Sequence, residues 1–409
     1  MNVMLKNVSY YLILLFLVCL PLDRFYSECI LIGLTVHTVI ISKKEEWRKL
    51  LDKRVLALQA IFAVTLLATT YTHFRDEAFT DWVQQLPLFL CPWLAIVLQP
   101  VLQSRKDQLL TAFALSNTAV ILYLFWNAAR TILYFHLPMT ALFSETFVNQ
   151  HFSEPLDLHA TYLSLYVCLS LVYCVTRGWE QGNAAFFSMA AILLAGLVQL
   201  SSKSAWMGLV IILLVGVPLL LFPARRRIAA MGLALSMTVV LASAVLLLQA
   251  SAFHKRMVTD FKKDMIANKA TDPWNQPRMV RWEVAWDLIK ARPVLGYGSG
   301  SEMTVLKDAY FNEKLYGPYL YALNTHNQFL RCWLTTGLLG LTAYMFMLGL
   351  GFAAAWKQKD LVWMTFLVLV TVTSFAENIL DVQKGIFYFS FFFAFFFFSN
   401  KPSSLTHGQ

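Results

Sequence analysis

Charge is what this sequence has little of. Only 14% of its 409 residues are Asp, Glu, Lys or Arg, and 58% are hydrophobic, whereas a typical soluble domain is about 25% charged. That balance excludes a disordered chain, and a 15% aromatic content points the same way. It also excludes a nucleic-acid binder built on an exposed cationic surface. The formal charge is +9, yet the mean hydropathy is +0.57. Cysteine is sparse as well: six residues (19, 29, 91, 168, 174 and 332) lie in or near apolar segments without CxxC spacing. No disulfide framework or thiol metal site is expected. DxD, HExxH and His/Cys clusters are missing, so no metal and no other cofactor is expected. No repeat of 20–50 residues stands out, and the one biased tract is a Phe-rich run at 391–398, read as lipid-facing packing.

What is there instead is a series of long apolar runs. A helix needs about 20 mostly apolar residues to cross the hydrocarbon layer. Twelve candidates follow: 8–22, 28–42, 55–72, 84–102, 109–135, 159–176, 183–200, 204–223, 228–251, 327–353, 361–376 and 383–399. Cys19-Leu20-Pro21-Leu22-Asp23 offers no small-x-small cleavage site, so the first span is expected to be a retained anchor. The positive-inside rule tests the count. With the N-terminus in the cytoplasm, the cytoplasmic segments carry sixteen basic residues, whereas the short outer segments carry Arg24, Arg75, Lys203 and Lys384. The sequence therefore predicts an all-α polytopic membrane protein with about twelve spans and both termini cytoplasmic. It divides into nine spans over 1–251, one large outer loop over 252–326, and three spans with a short tail over 327–409.

The outer loop is the candidate seat of chemistry, because a long ordered loop is usually functional. Trp282, Trp286 and Ile289 recur at i, i+4 and i+7, and Arg278 and Arg281 at i and i+3, which predicts a helix. Such a helix suits the membrane surface, its arginines meeting either lipid phosphates or a substrate phosphate. Arg292-Pro293 then leads into Gly296, Gly298 and Gly300, which suit either a turn after a proline-stopped helix or a backbone approach to phosphate. The loop closes on Asn324-Thr325-His326-Asn327. Asn324 or Thr325 as N-cap would place His326 in the first turn of the next span, as a candidate proton acceptor. Gly337 and Gly340 would then share its stripe and admit a neighbouring helix.

Lys203, His159, Arg130, Glu377 and Asp381 lie within spans or at their outer ends, where ionisable groups are costly and are either paired internally or functional. Lys203, Arg278, Arg281, His326, Glu377 and Asp381 come from separate segments, yet all map to one membrane face. Cations beside a base, above an apolar body, suit a lipid-linked pyrophosphate whose leaving group must be stabilised.

His326-Asn327, nine residues, Gly337, two residues and Gly340 resemble the H[NSQ]-x9-G-x2-[GTY] motif of the O-antigen ligase family. Arg281 followed by Trp286 and Pro293-Val294-Leu295-Gly296-Tyr297-Gly298 is similar to that family's Arg-to-Pro-Leu-Gly-x-Gly segment. Ser202-Lys203-Ser204-Ala205-Trp206 resembles its Ser-Arg-x-x-Trp turn with Lys for Arg, which keeps the charge and loses the bidentate fork. Glu377-Asn378 matches the acidic start of the last outer turn. The resemblance implies a metal-independent, inverting glycosyltransferase of the GT-C type in the bacterial inner membrane, with its active site on the periplasmic side. The implied donor is an undecaprenyl-pyrophosphate-linked glycan and the implied acceptor lipid A–core. His326 would be the base and Arg281 the donor-pyrophosphate ligand, assisted by Lys203 and Arg278. Glu377 and Asp381 would orient His326 or the cations, with Asn327, His159, Gly337 and Gly340 in support. The same superfamily holds O-antigen polymerases and O-linked oligosaccharyltransferases, and a lipid-linked glycan transporter is the alternative from another class.

Overall fold

The computed structural model describes residues 3–221 and 277–400, together with 255–260 and a few single positions between 232 and 262. Nearly all of the expected ninth span, 228–251, and most of 261–276 lie outside the described residues. Among the described residues the structure is helical throughout, without strands. Five helices are long and apolar enough to cross a membrane: Arg24–Ile41, Gln99–Tyr134, Ala160–Gln181, Lys203–Leu220 and Gln328–Gln358. Shorter apolar helices include Met4–Cys19, Ala60–Thr69, Ala184–Leu200, Leu361–Ser374 and Gln383–Ser399.

The helices that position the site are α1 (Val3–Cys19), α2 (Arg24–Ile41), α3 (Ala60–Thr69), α4 (Arg75–Gln84), α5 (Leu86–Val97), α6 (Gln99–Tyr134) and α7 (Ala160–Gln181). They continue with α8 (Ala184–Leu200), α9 (Lys203–Ile211), α10 (Arg278–Ala291), α11 (Glu302–Asn312), α12 (Gln328–Gln358), α13 (Leu361–Ser374) and α14 (Gln383–Ser399). The fourth and fifth expected spans divide differently from the sequence reading. The break falls at Leu98, just ahead of Pro100, and the Arg105-Lys106 segment expected as a turn lies inside the 36-residue α6. Pro100 fits the first turn of α6, where its missing N–H costs no helical hydrogen bond.

The Phe-rich run corrects another expectation. Phe391, Phe392, Phe393, Phe395, Phe396 and Phe398 are buried, because α14 runs through the middle of the bundle. α5, α6, α7, α12 and α13 all pack against it. Phe392 meets Phe113 and Phe366, and Phe396 stacks near Trp363. A helix apolar on every face belongs inside when helices surround it. Its buried Lys384 donates to the carbonyls of Leu20 and Leu22 and to Ser27 Oγ, tying the start of α14 to the α1–α2 turn. The far end of α14 is fixed by Lys106, which bonds Asp360 at 2.7 Å and Asn400 Oδ1 at 2.6 Å. Arg177 pairs with Asp107 at that same end. The bundle thus has one end held by Lys106 and Arg177, and the opposite end carries the α13–α14 turn.

α12 is not one straight helix. Gly337 has φ +65° and ψ −162°, outside helical space. The rings of Phe329 and Tyr344 lie 5.4 Å apart, although fifteen residues of straight helix would rise about 22 Å. Segments 328–336 and 338–358 are therefore sharply bent about Gly337. The bend frees backbone groups, and the loop after α10 takes them up. Tyr297 N donates to Leu334 O at 2.9 Å, Gly298 N donates to Thr335 O at 2.8 Å, and Leu338 N donates to Pro293 O at 3.1 Å. A Cβ at Gly337 would collide with the Val294 carbonyl, and one at Gly296 with the Leu334 carbonyl. Both glycines are required by close backbone approach.

Candidate active site

His326 lies one residue ahead of the α12 cap. Asn327 is the N-cap, its Oδ1 accepting from Phe329 N at 3.0 Å and Leu330 N at 3.2 Å. The expected cap at Asn324 or Thr325, with His326 in the first turn, is thus overturned, because Asn327 is extended and His326 is left-handed at φ +44°. The shared stripe with Gly337 and Gly340 falls with it. Gly337 serves the bend, and Gly340 sits tight against Thr336 of the preceding turn.

A non-glycine residue in the left-handed region is costly and persists only where its surroundings over-determine it. Here both neighbours are held. Asn324 Oδ1 accepts from His326 N at 3.1 Å. Thr325 N donates to Glu302 Oε1 at 3.1 Å, and Asn327 N donates to Asn378 Oδ1 at 2.8 Å. From α10, Arg281 Nη1 donates to Asn324 O at 2.9 Å and Trp282 Nε1 to Thr325 O at 2.8 Å. α10 is itself seated on an apolar patch of Val280, Val284, Ala285 and Ile289 against Leu306, Tyr310 and Leu334. The helix predicted from the Trp and Arg spacing is therefore present, and its buried Arg281 braces the histidine loop.

The imidazole points at Glu377. Nδ1 of His326 is 2.9 Å from Glu377 Oε2, and Arg278 Nη2 is 3.8 Å from Oε1. A proton on Nδ1 facing a carboxylate leaves Nε2 with its lone pair, the arrangement of an oriented base. Burial pushes the Glu377 carboxyl upward, but the hydrogen bond and charge of His326, with Arg278 and His159, hold it below its ordinary value. His159 caps α7, its Nδ1 accepting from Thr161 N at 3.3 Å, and stands close enough to act on Glu377. Lys203 opens α9 at the turn from α8, half-buried. Arg130 is exposed on α6 beside Trp126, outside this cluster.

Next to the pair lies an ionic cluster of which Asp381 alone is a candidate from the sequence. Arg331, buried on α12, faces Asp381, Glu302 at 3.3 Å and Asp81 at 3.3 Å. Asp381 therefore meets Arg331, while Glu377 meets His326. Asp81 also accepts from Gly300 N at 3.0 Å, so the three glycine N–H groups of the 296–300 loop all bond within the protein. Three carboxylates share one guanidinium. Burial, opposed by Arg331 but reinforced by Glu302 and Asp81, pushes the Asp381 carboxyl up to about 7. Arg331 had a visible signal, a charge within the apolar run Leu330-Arg331-Cys332-Trp333. Among the described residues no group of His, Cys, Asp and Glu side chains is arranged to hold a metal ion.

A helical bundle of membrane-spanning length with a carboxylate-oriented histidine and two arginines at one end defines a class of membrane protein with a polar site at one end. Residues 188–345 match the family described as O-antigen ligase, a stretch that runs from α8 through Arg278, Arg281 and His326 into α12. No curated protein matches the chain.

Proposed function

We propose that the chain is an inverting O-antigen ligase of the GT-C type with twelve spans. It transfers a glycan from undecaprenyl pyrophosphate to a sugar hydroxyl of lipid A–core, without a metal, at the periplasmic face of the inner membrane. The observation that carries this reading is the 2.9 Å contact between His326 Nδ1 and Glu377 Oε2 beside Arg278. In the reaction the acceptor hydroxyl oxygen attacks the anomeric carbon while its proton passes to His326 Nε2. The bond from the anomeric carbon to the pyrophosphate oxygen breaks, and undecaprenyl pyrophosphate leaves with the electron pair. Arg278, Arg281 and Lys203 bind that anion, and Glu377 stabilises the imidazolium. Both substrates are lipid-anchored, so holding them at one end of the bundle supplies much of the acceleration by proximity.

The test is reconstitution of the purified protein with the lipid-linked glycan and lipid A–core in EDTA. Glycan joined to core is expected; lengthening of the donor without core product identifies a polymerase instead. His326→Ala should lower the transfer rate about 10²- to 10⁴-fold, the usual worth of a general base. Transfer at the wild-type rate would remove His326 from the mechanism.

A further inference from the structure

His326 and Glu377 sit on separate segments, the loop before α12 and the turn after α13. Gln328 Oε1, at the start of α12, accepts from Leu380 N at 2.9 Å, and Arg331 pairs with Asp381, but the buried side chain nearest the pair that joins the two segments is Asn378. Asn378 Oδ1 accepts from Asn327 N at 2.8 Å and lies 3.2 Å from Thr325 Oγ1, so it packs against the residues on either side of His326. Its Nδ2 donates to Glu302 at 3.1 Å and to Asp381 Oδ2 at 2.9 Å. Asn378 is itself the residue after Glu377. Glu302 completes the cradle by accepting from Thr325 N and Thr325 Oγ1. Both side chains are almost fully buried, where a missing partner is expensive.

We propose that Asn378, anchored by Glu302, is the positioning residue that sets the distance and orientation of the His326–Glu377 pair. Neither side chain reaches the reacting atoms. They act by holding a left-handed histidine and its carboxylate in register across two segments. This deepens the glycosyl-transfer reading and rests on it for the kinetic effect, but the geometric effect can be measured without turnover.

The experiment uses full-length protein in detergent, labelled with ¹⁵N-histidine, and the reconstituted transfer assay. Wild type is expected to show a downfield Nδ1–H proton resonance that disappears in both His326→Ala and Glu377→Gln. In Asn378→Ala that resonance should broaden or vanish. kcat should fall about 10- to 100-fold, the scale of a small misplacement, while KM changes less than about threefold. The charge-neutral double variant Asn378→Asp/Glu302→Gln reverses donor and acceptor in the Asn378–Glu302 bond. It should recover at least several-fold over either single variant, and it carries the test if Asn378→Ala does not fold. An unchanged resonance and kcat in Asn378→Ala, or a double variant no better than the worse single one, overturns the proposal. Wild type that shows the resonance but transfers no glycan overturns the functional reading and leaves the positioning role standing.

Discussion

Asp381 shows how far one group's chemistry depends on its neighbours. Its carboxyl is raised to about 7 while Glu377, four residues earlier, is held low. The folded protein keeps a proton on Asp381 that the unfolded chain releases near its ordinary value of 3.8. Stability from this group is thus fully present below about pH 4 and is lost as the pH rises towards 7. Glu377 acts in the opposite sense, its contribution being present above about pH 4.5 and lost on acidification. Against wild type, the melting temperature of Asp381→Asn should therefore gain progressively from pH 4 to pH 7. A difference that stays flat over that window would mean Asp381 is ionised throughout. His326, Glu377, Arg278 and Arg281 were legible in the sequence because motif and spacing set them apart. Asn378 was visible only as the neighbour of Glu377 in the motif, and Glu302 carried no signal, since a carboxylate at the start of a helix is ordinary until the segments it joins meet.

The bend in α12 is the local feature that the motif encodes. Gly337→Ala would place a side chain at φ +65° and against the Val294 carbonyl. The backbone strain alone is about 1–3 kcal/mol, and the collision adds to it. A lowered melting temperature and loss of transfer are expected. Gly349 lies on the same helix, where an added methyl would meet nothing within 4 Å, so Gly349→Ala should be neutral or mildly stabilising. Equal melting temperatures for the two variants would sink this account of the motif. Gly337 and Gly340 fall on one packing stripe only if the helix is straight, as helical periodicity assumes. Periodicity cannot reveal a break whose freed carbonyls are satisfied by a loop forty residues earlier in the chain.

Taken as a whole, the bundle is organised around α14, and its aromatic core is the reverse of a lipid-facing surface. Phe392→Ala should cost about 3–5 kcal/mol, the range for emptying a buried aromatic site. Phe346→Ala, exposed on α12, should change the melting temperature little. Comparable, small shifts for both would return the Phe-rich run to the lipid face. Composition identified the apolar segments but not their neighbours, because a residue facing lipid and one facing another helix are equally hydrophobic.

The loop that docks on the bend has a kinematic consequence. It is continuous with α10, so the bend ties the helix that carries Arg278 and Arg281 to the start of α12 just after His326. The turn that carries Glu377 is joined to the same start of α12 by Asn378 and by the Arg331–Asp381 pair. A displacement of α10 is therefore passed to the histidine and to its carboxylate partner together.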